Sequence, residues 1–227
     1  MLFRSWVIGG AISLCGALSV AELAAALPQT GGWYVFLREA WGRPAGFVFG
    51  WSELVLIRAS AGGAIATVFS EYFLRSIGAD SASSGPLTHY VAAAAIVVGA
   101  VINILGVQVG AAVAGLSTLA KFGALVVLVL GSFLAGAGDT ANLTAAAAPV
   151  SSSLFGLALI SVLWAYDGFA DVSFAAGEIK DPQRTLPRAI IAGTIAIIAI
   201  YLLANVAYLY VNPIGSVARS SLIAADT

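Results

Sequence analysis

Cysteine, histidine and charged residues are scarce in this sequence, and each shortage excludes a class of protein. Cys15 is the only cysteine and His89 the only histidine, so no disulfide within the 227 residues and no cysteine- or histidine-rich metal site can form. Charged residues make up 9% of the chain, whereas a soluble domain carries roughly a quarter. The sequence therefore predicts neither a metal centre nor a soluble globular domain.

Basic residues are not in excess, and the common catalytic motifs are missing. The sequence has ten Lys and Arg residues and eleven Asp and Glu residues, and this balance argues against a nucleic-acid partner. The sequence contains no Gly-x-Ser-x-Gly elbow, no His-Glu-x-x-His pair and no phosphate-binding Gly-Lys-Ser/Thr. We therefore predict no catalytic residue, no cofactor and no enzymatic activity.

Long apolar runs dominate what remains, since 60% of the residues are hydrophobic. A helix needs about 20 apolar residues to cross the hydrocarbon core of a bilayer. Six runs come close to this length: Trp6–Leu27, Gly46–Phe73, Tyr90–Leu105, Gly110–Leu134, Leu154–Ala176 and Ala189–Val211. The prediction is an all-α, multi-pass integral membrane protein.

Basic residues and aromatic residues predict the orientation of these spans. Residues 28–45 are too short and too rich in turn residues to span, and they are expected to form an interfacial or re-entrant segment with Trp33, Tyr34 and Trp41 at headgroup level. One face collects five basic residues, Arg38, Arg43, Lys180, Arg184 and Arg188, whereas the other has only Arg4, Arg75 and Arg219. The positive-inside rule places the first face in the cytoplasm, as expected for a plasma-membrane protein. An even number of spans then puts both ends outside, so we expect a further helix upstream and interpret the chain as a fragment or as a mis-started reading frame.

Lys121 lies in the middle of an apolar span, within GLSTLAKFGALVVLVLG. Snorkelling to the headgroups is difficult from that depth, so its ammonium is expected in a polar cavity among backbone carbonyls. A fixed positive charge there would substitute for a bound Na⁺ and bridge helices without ion coupling. The alternative is a purely structural lysine that ties two helices together.

Glu53 and Arg58 are also charged residues inside a span. Five residues correspond to about 140° of rotation in an α-helix, so the two side chains are predicted not to face each other. Arg58 is expected to reach another helix or a water-filled cleft, and Glu53 to serve a cytoplasmic gate or a proton step. Alternatively, both are structural and pair with groups elsewhere.

A charged residue followed by glycine interrupts the fifth predicted span, in LWAYDGFADVSF. Asp167 at membrane depth marks a site by default, and Gly168 after it favours unwinding. Unwound backbone at this depth occurs only where it lines a cavity or a ligand. Carbonyls freed near Trp164 to Tyr166 could bind an ammonium group, and Trp164 could stack on a bound side chain or pack between helices. Asp167 would contact a substrate amine or, alternatively, cap the second half-helix.

Three parts of the sequence resemble the amino acid–polyamine–organocation superfamily of permeases, close to its L-type amino acid transporter branch. SLCGALSVAELAAALPQTGGWYVFLREAWGRPAGFVFGW is similar to the second helix, the first cytoplasmic re-entrant segment and the start of the third helix. LWAYDGFADVSFAAGEIKDPQRTLPRAI resembles the broken sixth helix and the loop after it. Lys121 falls where many members carry a lysine in the fifth helix. The resemblance covers nearly the whole chain and implies transport of an amino acid by alternating access, as Na⁺-independent exchange (antiport) or uniport.

The resemblance implies a substrate site around the break. Trp164 would stack on the substrate and gate it, and the backbone of Ala165, Tyr166, Asp167 and Gly168 would meet the substrate amine.

Other residues receive implied roles from the same resemblance. Phe169 would open the second half-helix and act in gating, and Ala61 and Ala64 would face the substrate side chain. Lys121 would brace the unwound first helix near the site that other members give to Na⁺, and Glu53 would take part in gating or coupling.

The resemblance further implies a fold of two inverted repeats of five helices, present here only in part. The implied divisions of the single transmembrane domain 1–227 are 1–138 for most of the first repeat, 152–212 for the start of the second repeat with its broken helix, and 28–45 for the re-entrant segment. The expected partners are an amino acid, membrane lipids, the remainder of the same transporter and, in one alternative, further copies of the chain. A non-transporting subunit or remnant and an intramembrane enzyme remain as rival functions.

Overall fold

Helices make up all of the regular structure in the part of the chain described here. The structure is a computed structural model, and it describes residues 2–79, 85–136, 138–144, 151–220 and 223–227; these ranges contain no strand. Six helical segments are long and apolar enough to cross a membrane: Phe3–Ala26, Arg43–Ser76, Gly85–Ile104, Gln108–Leu134, Ser152–Glu178 and Pro182–Val211. The predicted all-α, multi-pass membrane fold with six spans is confirmed.

These segments are helical because a backbone inside a bilayer has no water to bond, and a helix satisfies its N–H and C=O groups internally. The elements in chain order are α1 (Leu2–Ala26), α2 (Trp33–Trp41), α3 (Arg43–Ser52), a π-helical segment (Glu53–Ile57), α4 (Arg58–Ser76), α5 (Gly85–Ile104), α6 (Val107–Leu134), α7 (Thr140–Thr144), α8 (Ser152–Tyr166), a 3₁₀ helix (Asp171–Glu178), α9 (Pro182–Val211), α10 (Ile214–Val217) and α11 (Ile223–Asp226). Two of the spans therefore contain a departure from α-helical geometry.

The chain divides into two compact units. The first unit comprises Met1–Phe49 and Leu125–Ser220 with Thr227, and the second comprises Gly50–Ala124 with Ser221–Asp226. In the first unit α1 packs against α8 and α9.

Small residues let α1 approach its neighbours in the first unit closely. The buried positions of α1 follow each other at intervals of three or four residues: Ser5, Gly9, Ser13, Ala17, Val20 and Ala24. A side chain on Gly9 would place its Cβ 2.6 Å from Cγ1 of Val162 in α8. In lipid, helices associate through such close van der Waals packing, because the surrounding tails are as apolar as the side chains.

The predicted re-entrant segment folds onto the second half of the broken span, the 3₁₀ helix Asp171–Glu178. Val35 and Phe36 of α2 are buried in the core of the first unit. Thr30 Oγ1 accepts a hydrogen bond from the Gly177 N–H at 3.1 Å. The Gly31 N–H donates to the Phe174 carbonyl at 3.2 Å. We call these contacts, between residues 30–32 and residues 173–177, the loop clamp.

The second unit is held by α4 and α5. Ala66, Ser70 and Leu74 form the buried face of α4, four residues apart. Thr88 and Ala92 form the buried face of α5 with the same spacing. The spacing is that of one helical stripe facing a neighbour.

Candidate functional site

The fifth span is broken at the predicted place. Helix α8 ends at Tyr166, Asp167 has an extended backbone with φ −62° and ψ 156°, and Gly168 has φ +105°. A glycine fits that left-handed conformation because it has no Cβ to clash. The 3₁₀ helix resumes at Asp171, whose N–H donates to the Gly168 carbonyl at 3.0 Å. The helix break is confirmed, although Ala165, predicted to be unwound, remains in the last turn of α8.

The break leaves two backbone carbonyls without an intrahelical partner. The Trp164 carbonyl accepts from the Asp167 N–H at 3.2 Å, so this predicted free acceptor is occupied. Among the described residues no hydrogen bond reaches the carbonyls of Ala165 or Tyr166. The last carbonyls of a helix carry partial negative charge and attract cations, including an ammonium group.

The Asp167 side chain does not cap the helix that follows. The residue before the 3₁₀ helix is Ala170, and no side chain caps this helix start. The capping role considered for Asp167 is therefore wrong, because three residues, Gly168 to Ala170, separate it from the start of the 3₁₀ helix. Its carboxylate is exposed at the break instead.

The Tyr166 side chain points away from the break into an aromatic cluster. Its ring centroid lies 5.6 Å from that of Trp6 in α1 and 5.4 Å from that of Tyr201 in α9. Its hydroxyl donates to the Trp6 carbonyl at 3.3 Å, and only 4% of the residue is exposed. The backbone of Tyr166 thus faces the break while its ring fixes the end of α8.

Sequence reasoning did not identify Trp6 and Tyr201 as part of this cluster. Tyr201 lies in the interior of α9, and a tyrosine at such depth needs a partner for its ring and hydroxyl. This requirement could have indicated from the sequence that Tyr201 has a partner, but it does not show which helices supply that partner.

The two aromatic residues on either side of the break differ in environment. Trp164 is 56% exposed, and its indole makes no ring stacking or cation–π contact within the described ranges. Packing between helices, the alternative role for Trp164, finds no support there. Phe169 packs on the core of the first unit, with its ring 3.1 Å from where a Cβ on Gly16 of α1 would lie.

Four other predicted site residues belong to the second unit. Ala61 is half-buried and Ala64 exposed on α4, and three residues of separation put them on adjacent parts of one helix face. Lys121 is exposed on α6, and Glu53 opens the π-helical segment. The roles of these residues remain predictions.

Glu53 and Arg58 face each other, so the prediction that they do not is wrong. Arg58 Nε donates to Glu53 Oε1 at 2.5 Å. The physical reason is the π-helical segment, in which the Arg58 N–H bonds to the Glu53 carbonyl five residues earlier. That geometry adds one residue to the turn and brings positions i and i+5 onto one face. Regular α-helical geometry, which was assumed for this span, gave no signal for the π turn.

The described residues at the break include no cluster of metal ligands. Across the described ranges, no three His, Cys, Asp or Glu side chains are placed to share a metal ion. The groups gathered there are two open carbonyls, the Asp167 carboxylate and an exposed indole, and they suit an organic cation with an apolar part.

The sequence matches one protein family and several transporters. The family model described as amino acid permease matches residues 1–225. The serine/threonine exchanger SteT of Bacillus subtilis is 32% identical over 211 residues, which are 93% of this chain and 47% of that protein. The b(0,+)-type amino acid transporter 1 of Homo sapiens is 32% identical over 96% of this chain and 46% of its own length. The human cystine/glutamate transporter is 32% identical over 92% of this chain and 42% of its own length.

The chain thus spans about half the length of the curated relatives that it matches. Both the broken span and the six apolar helices lie within the matched region. The resemblance drawn from the sequence motifs is confirmed: the chain belongs to the amino acid permease family and is a multi-pass integral membrane protein.

Proposed function

We propose that the polypeptide carrying these residues moves an amino acid across the plasma membrane by alternating access, without Na⁺, as an exchanger or uniporter. The observation that carries the proposal is the pair of open carbonyls, Ala165 and Tyr166, at the end of α8 inside an apolar span. In a dry site they would replace the water lost by the substrate ammonium. The relatives are named as amino acid transporters or exchangers, which supports the same activity.

The proposal assigns a role to each group at the break. The backbone from Ala165 to Gly168 binds the ammonium, Asp167 adds negative charge beside it, and the exposed Trp164 indole stacks on the substrate. Phe169, packed against α1, couples movement of the second half-helix to gating. The proposal needs no catalytic residue and no cofactor.

The proposed organisation follows the family's inverted repeats, with residues 1–138 in the first repeat, 152–212 opening the second, and 28–45 as the cytoplasmic re-entrant segment. The proposed partners are the amino acid, membrane lipids and, where these residues are part of a longer polypeptide, the rest of that transporter. A homo-oligomer is compatible with the proposal.

Flux through proteoliposomes tests the function directly. The complete polypeptide that contains these residues is reconstituted, and uptake of a panel of radiolabelled amino acids is measured with and without unlabelled amino acid inside. We expect uptake of at least one amino acid, unchanged when choline replaces Na⁺. Saturable binding without flux would favour a non-transporting subunit, and uptake that requires Na⁺ would contradict the role given to Lys121.

Trp164→Ala is expected to weaken substrate binding by about 1–2 kcal/mol, the scale of a stacking or cation–π contact. The free energy of unfolding should change little, because the indole is mostly exposed. Substrate titration by scintillation proximity measures the affinity. Trp41→Ala, which removes another exposed tryptophan on α2 away from the break, is the matched control. Equal affinity in both variants would remove Trp164 from the site.

Lys121→Ala is expected to lower the exchange rate at least about tenfold while the chain still folds, because a lysine at mid-span is costly and is retained for function. Lys121→Arg keeps the charge and should recover part of the rate. Exchange in proteoliposomes and thermal unfolding in detergent separate the two effects. Loss of folded protein in the alanine variant would instead show that Lys121 ties helices together.

A further inference from the structure

The span Arg43–Ser76 is one apolar helix interrupted by a five-residue π turn, Glu53–Ile57. The interruption begins ten residues into the span, about 15 Å along the helix axis from Arg43. Single π turns in α-helices are uncommon and occur frequently at functional sites. The turn therefore needs a physical reason to persist at this depth.

Two polar interactions support the π turn. The ion pair between Glu53 and Arg58 spans its two ends at 2.5 Å, with 15% of the glutamate side chain and 51% of the arginine side chain exposed. The Ser60 hydroxyl contacts the carbonyls of Leu56 and Ile57 at 2.6 and 3.1 Å. These carbonyls lie at the end of the turn, where the switch back to α geometry disturbs the regular bonds.

The ion pair and the π turn depend on each other. In regular α geometry the two side chains would lie about 140° apart and the pair would break. Loss of the π turn would also rotate the helix after it by about 100° and move it by about 1.5 Å, the increment of one residue. Ala61 and Ala64 lie directly after the turn and would rotate with it. A regular α-helical form of this segment would thus lack the Glu53–Arg58 ion pair that the π form has.

We propose that Glu53–Ile57 is a register switch, latched in the π form by the Glu53–Arg58 pair, whose conversion to α-helix turns the face of α4 bearing Ala61 and Ala64 during the transport cycle. The proposal rests on the proposed function for its role in transport, and on the geometry of the turn for the switch itself. The ion pair suits this task, because breaking it takes the Arg58 guanidinium away from the mostly buried Glu53 carboxylate, and this cost keeps the broken form transient.

Deletion of Val55 tests the switch while keeping the latch. It removes one residue between Glu53 and Arg58, so the pair becomes i, i+4 with the glutamate first, a favourable spacing in an α-helix. The turn is then α-helical, the helix after it keeps the orientation that it has in the π form, and no second register is left to adopt. Val55→Ala, which shortens the side chain without changing the register, is the matched control.

The expected outcome for the deletion is substrate affinity within about threefold of the parent and exchange lowered at least about tenfold, because a single locked register can bind but cannot complete the cycle. Val55→Ala should exchange at close to the parent rate. Exchange at the parent rate in a folded deletion variant would overturn the proposal, since a static bulge can be removed without cost to the cycle.

A distance measurement tests the switch without the deletion and without transport. Spin labels on Trp51→Cys and Ile65→Cys, two exposed positions on either side of the turn, are placed in the Cys15→Ser background. We expect two distances between the labels, one for the π form and one for the α form. Their populations should shift when substrate is added and shift further in Glu53→Gln. One unchanged distance under all three conditions would overturn the switch, and it would leave the transport proposal untouched if flux is observed.

Discussion

Gly32→Ala is expected to destabilise the first unit by about 2–4 kcal/mol, the sum of backbone strain and overpacking. Gly32 has φ +48° and ψ −123°, a conformation that residues with a Cβ rarely adopt. A Cβ at this position would lie 2.6 Å from Ser173 Oγ. That hydroxyl is buried and donates to the Ala170 carbonyl at 2.6 Å, so it cannot move aside freely.

Unfolding by a denaturing detergent, followed by circular dichroism, measures this effect. Gly99→Ala on α5 is the matched control, because the added methyl meets no atom within 4 Å apart from its own stretch of helix backbone, and alanine favours helix more than glycine. Ser173→Ala combined with Gly32→Ala should recover the overpacking part and leave the strain. A Gly32→Ala protein as stable as the Gly99→Ala protein would mean that the loop clamp does not hold residues 30–32 in place.

The clamp matters for the proposed function because it joins the segment before α2 to the 3₁₀ half of the broken span. A movement of the 3₁₀ half would be transmitted to α2 through the Thr30–Gly177 and Gly31–Phe174 hydrogen bonds. Because Gly32→Ala destabilises the first unit, it should lower transport by lowering the amount of folded protein. Substrate affinity of the protein that remains folded should not change.

Tyr166→Ala is expected to cost about 2–4 kcal/mol of stability, because it opens a cavity beside Trp6 and Tyr201. The cost is somewhat below that of a large-to-small change in a soluble core, since lipid tails solvate apolar groups as well as the protein does. The residue is also the last of α8, so the cavity loosens the helix end that presents the two open carbonyls. Substrate affinity should fall together with stability.

Tyr166→Phe separates the ring from the hydroxyl. The ring contacts remain, and only the 3.3 Å hydrogen bond to the Trp6 carbonyl is lost, so a change of about 1 kcal/mol or less is expected. Thermal unfolding in detergent compares the three proteins. If the phenylalanine variant loses as much stability as the alanine variant, the hydroxyl rather than the aromatic packing holds the end of α8.

Much of the architecture could be predicted from the sequence, because it depends on local properties. A run of about 20 apolar residues is helical in a bilayer whatever surrounds it, so the six spans followed from composition alone. The break at Asp167 and Gly168 was likewise local, since a charge and a flexible residue at mid-span both oppose a continuous helix. The family followed from the same stretch and from the segment around residues 28–45.

Side-chain partners could not be predicted in this way. Regular helix geometry separated Glu53 from Arg58, and a single π turn brought them together. The capping role of Asp167 failed because the 3₁₀ helix begins farther along than an ideal break would place it.

By itself, the sequence determined which segments enter the membrane, where one of them breaks and to which family the chain belongs. The tertiary structure alone decided that Tyr166 packs on Trp6 and Tyr201, that Gly32 meets Ser173, and that one turn is π-helical. The physical reason is that transfer of a residue to lipid is a property of that residue, whereas packing depends on which faces of separate helices meet, and in an apolar solvent nearly every face is hydrophobic.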